Sequence, residues 1–243
     1  MSSDPSSYGL FAGPLTLTLV RHGHSAWSRD GLSVDDPDLS ELGRQQSAVL
    51  GKRLEGEHFD RILVSPLRRA VQTAELAGLR ARTGTVLADW LAEIRYPSWA
   101  GEPVQVAGQA LADLRHLPVR ERWRAFVDEG EPVDAFVNRV RGGLLSFLAG
   151  LGVRPVEQDG IFAWRADVGV TPQRVLLIGH AGTVSAVIAA VMGLEPVPWE
   201  WERFQLAYCS LTRLVSFPVG PDLSFSMERL SDVDHLDGEL RSW

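Results

Sequence analysis

Residues 15–27 read LTLTLVRHGHSAW, a run of apolar and β-branched residues that changes abruptly to Arg21, His22, Gly23 and His24. Such a run predicts a buried β-strand. Ligands of open α/β sheets bind at the carboxyl ends of the strands. We therefore interpret the end of this strand as the centre of a binding or catalytic site.

The composition sets limits on the function. The chain has 243 residues, of which 45% are hydrophobic and 23% charged, so it can bury a sizeable core. A formal net charge of −7 gives no general reason to bind nucleic acid or an anionic membrane, and an anionic substrate would need a local cluster of cations. Cys209 is the only cysteine, which excludes an intrachain disulfide and fits a reducing compartment. We expect a cytoplasmic protein with a flexible leader over residues 1–14.

Strand and helix patterns alternate along the chain, which predicts an α/β fold. The expected architecture is a three-layer α/β/α sandwich with a mainly parallel sheet, in one domain spanning residues 15–230. A helical insertion at about 104–152 would cover the active-site edge, and 154–172 would form a hairpin or an irregular loop. Ser65 is predicted to cap the second helix, with Pro66 as its first residue. The acidic tail, residues 231–243, is expected to fray.

Three predicted strands are followed by loops that begin with reactive groups. Because the loops after parallel strands emerge at one edge of a sheet, these groups can converge although they are distant in sequence. The groups are Arg21-His22, then Ser65-Pro66 with Arg68 and Arg69, and finally His180.

These residue types suit the binding of a phosphoryl group. Arginine offers planar paired donors, and a helix start adds oriented amides. A histidine, with an ordinary pKa of about 6.5, is a competent nucleophile near neutral pH. Glu93 is the best candidate to protonate a leaving-group oxygen, although Asp89 and Glu102 share its loop. Arg68 and Arg69 would point about 100° apart on a helix, so only one of them can face the pocket easily.

Four motifs resemble, in order and approximate spacing, those of the histidine phosphatase superfamily, also called phosphoglycerate mutase-like. The resemblance extends from about Leu15 to Phe217 and selects Arg69 over Arg68. The motifs are Arg21-His22-Gly23, the segment from Ser65-Pro66-Leu67-Arg68-Arg69 to Ala74, Leu91-Ala92-Glu93 with Trp99-Ala100-Gly101, and Gly179-His180-Ala181-Gly182.

The resemblance implies a phosphatase that hydrolyses phosphate monoesters without a metal or an organic cofactor. His22 would be phosphorylated transiently, and Glu93 would protonate the leaving group and then activate water. Arg21, Arg69 and His180 would hold the phosphoryl oxygens. The only partner expected is a small phosphate monoester, and the oligomeric state is left open, with a homodimer among the alternatives. Further candidates for phosphate or substrate binding are Gly23, Ser28 and Ala181.

Several features bear on the choice of substrate. His24 stands where many members of the family carry Glu, and Ser185 stands where mutases carry Arg. Residues 94–109 contain no counterpart of the mutase segment that follows the acid, so a phosphatase is favoured over a cofactor-primed phosphoglycerate-type mutase. His24, Trp27 and Trp99 are the candidates for specificity. Two alternatives remain: a non-catalytic phosphate-binding relative, and a metal-dependent hydrolase built on His22 and His24.

Overall fold

The computed structural model describes residues 13–126 and 129–243. The predicted opening strand is present as β1 (Leu15–Arg21), and its interior residues are mostly buried. The other strands are β2 (Ser28–Arg29), β3 (Leu32–Ser33), β4 (Arg61–Val64), β5 (Thr85–Leu87), β6 (Val153–Gln158), β7 (Ile161–Ala166), β8 (Gln173–Gly179), β9 (Leu211–Val219) and β10 (Asp222–Asp232). The helices are α1 (Glu41–Arg53), α2 (Arg68–Leu76), α3 (Val104–His116), α4 (Val119–Arg122), α5 (Val133–Gly150), α6 (Ala181–Val191) and α7 (Glu200–Arg203), with 3₁₀ turns at Asp89–Leu91 and Gly238–Leu240.

The main sheet has eight strands in the order β5-β4-β8-β1-β9-β10-β7-β6. The four strands β5, β4, β8 and β1 run parallel, with Arg21 opposite Gly179 and Val64 opposite Ile178. β9, β10, β7 and β6 extend the sheet in antiparallel pairs. The predicted α/β fold with a parallel core is confirmed. Because β1, β4 and β8 end at the same edge, the loops that follow them meet there.

Helices cover both faces of the sheet because the central strands bury alternate residues on opposite sides. Val175 and Leu177 of β8 pack with α5 and α6, whereas Leu176 and Ile178 pack with α1 and α2. These two hydrophobic clusters give the three layers that the sequence predicts. In the described part of the chain, no helix is long and apolar enough to cross a membrane.

The predicted insertion divides into two parts with different positions. α5 belongs to the helical layer, since Phe136 and Leu144 are fully buried in the main hydrophobic cluster. α3 instead contributes Val104 and Leu111 to the wall of a cavity at the active-site edge. β6 and β7 form the hairpin that was one of two expectations for this region, with Gln158 opposite Ile161. Residues 1–12 of the expected leader lie outside the described residues.

α2 begins two residues later than predicted, at Arg68, and Ser65 is not its N-cap. The Ser65 hydroxyl accepts a hydrogen bond from the Leu67 amide at 3.3 Å and also lies 2.7 Å from Nε2 of His180. The hydroxyl is therefore used to join the second and third reactive loops. A helix pattern within one segment contains no information about such a long-range partner.

The acidic tail packs against the domain, contrary to the expected fraying. Leu236 is 1% exposed within the cluster formed by α1 and α2. The Gln46 side chain on α1 donates to the Leu240 carbonyl at 2.7 Å, and the Tyr208 amide donates to the Ser242 carbonyl at 3.0 Å. Gln46 lies 194 residues before Leu240 in the sequence. The local composition of the tail therefore gave no sign of this contact.

We predict that Leu236→Ala lowers the free energy of unfolding by about 2–5 kcal/mol, because it leaves a cavity in this cluster. Trp243→Ala is the control, since Trp243 is 68% exposed and its loss should change that energy by less than about 0.5 kcal/mol. Urea unfolding of both variants measures the difference. Equal stability of the two would show that the tail does not pack as described.

Candidate active site

His22 lies at the floor of the site, immediately after β1, and is 3% exposed. Its backbone amide donates to the Gly179 carbonyl at 2.9 Å, which ties the β1 loop to β8. Its Nδ1 is 2.7 Å from the Gly23 carbonyl oxygen. A carbonyl can only accept a hydrogen bond, so Nδ1 carries the proton and the lone pair is on Nε2. This is the form in which an imidazole can attack an electrophile.

Arg69 is the arginine that meets His22. Its Nε donates to His22 Nε2 at 3.2 Å, and the residue is 3% exposed. Its guanidinium also lies 4.8 Å above the Trp27 ring and 3.3 Å from a carboxylate oxygen of Asp36. Arg68 points away and pairs with Asp38 at 2.6 Å. The geometry thus agrees with the choice of Arg69 by the motif.

His180 completes the floor, with its ring centroid 4.9 Å from that of His22. Its Nε2 bonds to the Ser65 hydroxyl at 2.7 Å, while its Nδ1 is buried and has no partner in the described residues. The Ser65 oxygen also accepts from the Leu67 amide, and its own proton can point at Nε2. In the tautomer in which Ser65 donates to Nε2, Nδ1 of His180 carries the proton and is a donor for a bound oxyanion.

Burial is the main cause that lowers the pKa of both histidines, and the neighbouring cations add to it. For His22 the cations are Arg69 and then Arg21; for His180 the charge of Arg69 comes first. Both rings are therefore neutral near pH 7. A neutral His22 keeps its lone pair, which is what a nucleophile needs.

Arg21 closes the floor on the side of β9. Its guanidinium lies 3.6 Å from the centroid of the Tyr208 ring and donates to the Leu206 carbonyl. Its Nε is buried and has no acceptor in the described residues. Arg21 and Arg69 thus bring two cations close to His22, which favours a dianionic ligand.

Glu93 lies on the loop after the Asp89–Leu91 turn, and two backbone amides position it. The Ile94 amide donates to Oε1 and the Gly182 amide of α6 donates to Oε2, both at 2.9 Å. Burial raises the pKa of Glu93 above its ordinary value, against the opposing effect of these hydrogen bonds. A raised pKa keeps more of the carboxyl protonated, as a general acid requires.

The three further candidates for phosphate or substrate binding lie in different surroundings, and their roles stay predictions. Gly23 donates its amide to Thr73 at 3.0 Å, and a Cβ there would lie 2.7 Å from the Gly43 carbonyl, so Gly23 packs against α1 rather than opening its backbone to phosphate. Ser28 is exposed in β2 and borders a separate groove of about 330 Å³. Ala181 is the first residue of α6, adjacent to His180.

His24 turns away from the site. Its Nδ1 is 2.8 Å from the hydroxyl of Ser40, the N-cap of α1, and its ring packs edge-on against Tyr208 at 5.1 Å. His24 therefore supports α1 and is not among the residues that line the cavity described below. Within residues 13–126 and 129–243, no group of three or more His, Cys, Asp or Glu side chains could hold a metal ion. The His22–His24 pair thus lacks the additional ligands that a zinc site needs.

A cavity of about 1180 Å³ opens above Arg69 and Glu93. Trp27 and Trp99, predicted as specificity residues, both line it. Trp99 stacks on Tyr96 with 5.7 Å between ring centroids, and its amide donates to Asp35 at 3.1 Å. Sequence reasoning missed Asp36, Tyr96 and Tyr208 as neighbours of the site. The Asp-rich loop was a signal for Asp36, but nothing local distinguished the two tyrosines.

Residues 17–152 match the model of the histidine phosphatase superfamily (branch 1). The chain belongs to this superfamily. It is 29% identical over 181 residues to phosphoserine phosphatase 1 of Hydrogenobacter thermophilus, an alignment that covers 74% of this chain and 77% of the relative. It is 25% identical to the "Probable phosphoglycerate mutase GpmB" of Yersinia enterocolitica, covering 92% and 95%. A mycobacterial glucosyl-3-phosphoglycerate phosphatase has the same fold, with a TM-score of 0.62, 24% identity and coverage of 89% and 98%.

We predict that Gly182→Ala lowers kcat by about 100-fold, because a displacement of about 1 Å in a catalytic group can cost that much. The added Cβ would overlap Glu93 Oε1 and lie 3.1 Å from the carboxyl carbon, so Glu93 must move. Gly142→Ala is the control, since a Cβ at this exposed position of α5 meets nothing within 4 Å. Hydrolysis of an alkyl phosphate, whose leaving group needs a proton, and the melting temperature are measured for both. Unchanged kcat in folded Gly182→Ala would contradict the assigned position of Glu93.

Proposed function

We propose that the protein hydrolyses phosphate monoesters through a phosphohistidine formed on Nε2 of His22. The observation that carries this proposal is the 2.7 Å hydrogen bond between Nδ1 and the Gly23 carbonyl. It leaves the Nε2 lone pair beside the Arg69 guanidinium, which lies 3.2 Å away through its Nε. An attacking nitrogen and a cation that neutralises the phosphoryl oxygens are thus in contact before any substrate binds.

In the first step, Nε2 of His22 attacks phosphorus and the bond from phosphorus to the ester oxygen breaks. The departing oxygen takes the proton of Glu93, so the alcohol leaves neutral and Glu93 becomes a carboxylate. Arg21, Arg69 and the proton on Nδ1 of His180 stabilise the charge on the three phosphoryl oxygens. The Gly23 carbonyl stabilises the imidazolium character that His22 gains.

In the second step, water replaces the alcohol and attacks phosphorus from the side that the alcohol left. The Glu93 carboxylate takes a proton from this water, the phosphorus–nitrogen bond breaks, and His22 regains its lone pair. Inorganic phosphate then leaves, and Glu93 is again protonated. The buried arginines supply the positive charge for both steps, so we propose that no metal ion takes part.

Two alternatives share the same site residues. A mutase returns the phosphoryl group to a second hydroxyl of the bound alcohol, and a relative named as a phosphoglycerate mutase supports this reading. Hydrolysis is favoured because residues 94–109 have no counterpart of the mutase segment and the cavity of about 1180 Å³ admits water. A non-catalytic phosphate-binding protein is disfavoured, since the nucleophile, the acid and both arginines are all retained.

We predict that His22→Ala abolishes hydrolysis of p-nitrophenyl phosphate and acid-labile labelling of the protein, because it removes the attacking nitrogen. The wild type is assayed in EDTA and should retain its rate, and the rapidly quenched wild-type enzyme should carry label on His22. Equal rates for wild type and His22→Ala would refute the proposal. Efficient isomerisation of phosphoglycerate after priming with a bisphosphoglycerate would establish the mutase instead.

We predict that Glu93→Gln lowers kcat about 100-fold or more for an alkyl phosphate and much less for p-nitrophenyl phosphate, whose leaving group needs no proton. The wild-type kcat/KM should rise with pH as His22 loses its proton below pH 6.5, and fall as Glu93, with its raised pKa, loses its own. Glu93→Gln should therefore lack the alkaline fall. Glu102→Gln, an exposed carboxyl on the same loop, is the control and should keep both limbs. An unchanged alkaline limb in Glu93→Gln would assign the acid elsewhere.

A further inference from the structure

The cavity above Glu93 is larger and more apolar than a short, highly polar alcohol requires. Its volume is about 1180 Å³, at the upper end of the range for ligand pockets. It begins at Glu93, the group proposed to protonate the leaving oxygen, so the alcohol part of the substrate must extend into it. Much of its wall is formed by Val34, Tyr96, Trp99, Val104, Ala107 and Leu111.

One face of α3 provides much of this apolar wall. Val104, Ala107 and Leu111 follow the three- and four-residue spacing of a single helical face and all line the cavity. Val106, between two of them, is 43% exposed and is not among the lining residues. On the facing loop, Tyr96 stacks on Trp99 and meets Phe126 edge-on at 5.2 Å, so the aromatic side of the wall is held rigidly.

The charges at the cavity are unfavourable for a carboxylate on the leaving group. Among the described lining residues, three are arginines, namely Arg69, Arg95 and Arg139, and six are acidic, namely Asp35, Asp36, Asp89, Glu93, Glu129 and Glu131. A second anion on the substrate would therefore face mostly like charge.

The three arginines already have partners. Arg139 binds both carboxylate oxygens of Glu131 at 2.7 and 2.8 Å and also donates to the Trp90 and Ala92 carbonyls. Arg95 donates to the Gly130 carbonyl at 3.2 Å at the exposed rim. Arg69 is assigned to the phosphoryl group. Apart from Arg69, Arg95 is the one described lining cation with free guanidinium donors, and it lies at the exposed rim, where water screens its charge.

We infer that the preferred substrates are phosphate monoesters whose alcohol carries a large, uncharged apolar or aromatic group and no carboxylate. This inference rests on the proposed hydrolysis at the same site. It separates the protein by substrate class from the relatives named for phosphoserine and phosphoglycerate, whose alcohols carry a carboxylate.

The test compares two esters of primary alcohols, so that the leaving-group chemistry is matched. They are 3-phenylpropyl phosphate and 4-phosphooxybutanoate, which differ only in that a carboxylate replaces the phenyl ring. We expect kcat/KM of the phenyl ester to be about 30-fold higher, the size of effect that burial of an aromatic ring gives. Phosphocholine is included as the ester of a cationic alcohol, and p-nitrophenyl phosphate as the reference for basal activity.

A matched pair of variants locates the effect in the cavity wall. Ala107→Lys adds a cation to the apolar face of α3 and should reduce the 30-fold preference to about threefold or less, through a higher kcat/KM for the carboxylate ester. Val106→Lys adds the same charge to the adjacent exposed position and should leave the preference unchanged. Val106→Lys should retain turnover of p-nitrophenyl phosphate, and Ala107→Lys is judged by the ratio of kcat/KM for the two primary-alcohol esters.

Each outcome decides the inference. A wild-type preference near one, a preference for the carboxylate ester, or faster turnover of phosphocholine than of the phenyl ester would overturn it while p-nitrophenyl phosphate is still hydrolysed. An equal response of Ala107→Lys and Val106→Lys would also overturn it, because the preference would not arise in the cavity. Failure to hydrolyse any ester, including p-nitrophenyl phosphate, would instead overturn the proposed function on which the inference rests.

Discussion

The hydrogen bond from Nδ1 of His22 to the Gly23 carbonyl is the interaction on which the site depends. It selects the tautomer, and it requires the Gly23 peptide to be held still. α1 and α2 do this from two sides, since the Gly43 carbonyl leaves no room for a Cβ on Gly23 and Thr73 accepts its amide. From the third side, the Cys209 amide donates to the carbonyls of Arg21 and His22, with Cys209 in the left-handed region at φ 54°.

Because His22 is buried beside Arg21 and Arg69, the site has an excess of positive charge that a bound anion would neutralise. Two arginines lie next to two neutral histidines, and burial lowers the pKa of each histidine further than the charges alone would. Asp36 offers Arg69 one partner at 3.3 Å, but its side chain is partly exposed and competes poorly with a dianion held by several donors. The two arginines therefore favour an anion at this floor, as the proposed binding of a phosphoryl group requires.

The strand ends and the position of His22, the proposed nucleophile, were predictable from the sequence because they depend on local patterns. Each of three patterns can be recognised within a few residues, namely the apolar run in β1, the RVLLIG run in β8 and the arginine motif on α2. The parallel topology of the sheet then brings the residues that follow them together. What could not be predicted depends on contacts between distant segments. Ser65 bonds to His180 rather than capping α2, and His24 bonds to Ser40, the N-cap of α1. The packing of the tail could not be predicted for the same reason, since its hydrogen-bond partners are Gln46 on α1 and the amide of Tyr208.

The residues proposed to carry out the reaction and the residues that would contact the alcohol lie on different elements of the fold. The proposed nucleophile His22 and two of the proposed phosphate ligands, Arg21 and His180, lie at the ends of buried parallel strands, where a shift would disturb two hydrophobic clusters at once. The proposed acid Glu93 and the cavity wall lie on the loop after β5 and on α3, which pack on the edge of the domain. The Gly182 amide is the link between the two, since it holds Glu93 from the first turn of the helix that follows His180. A change in the wall can thus alter which alcohol fits while the acid stays aligned with His22, provided that this one amide contact is kept.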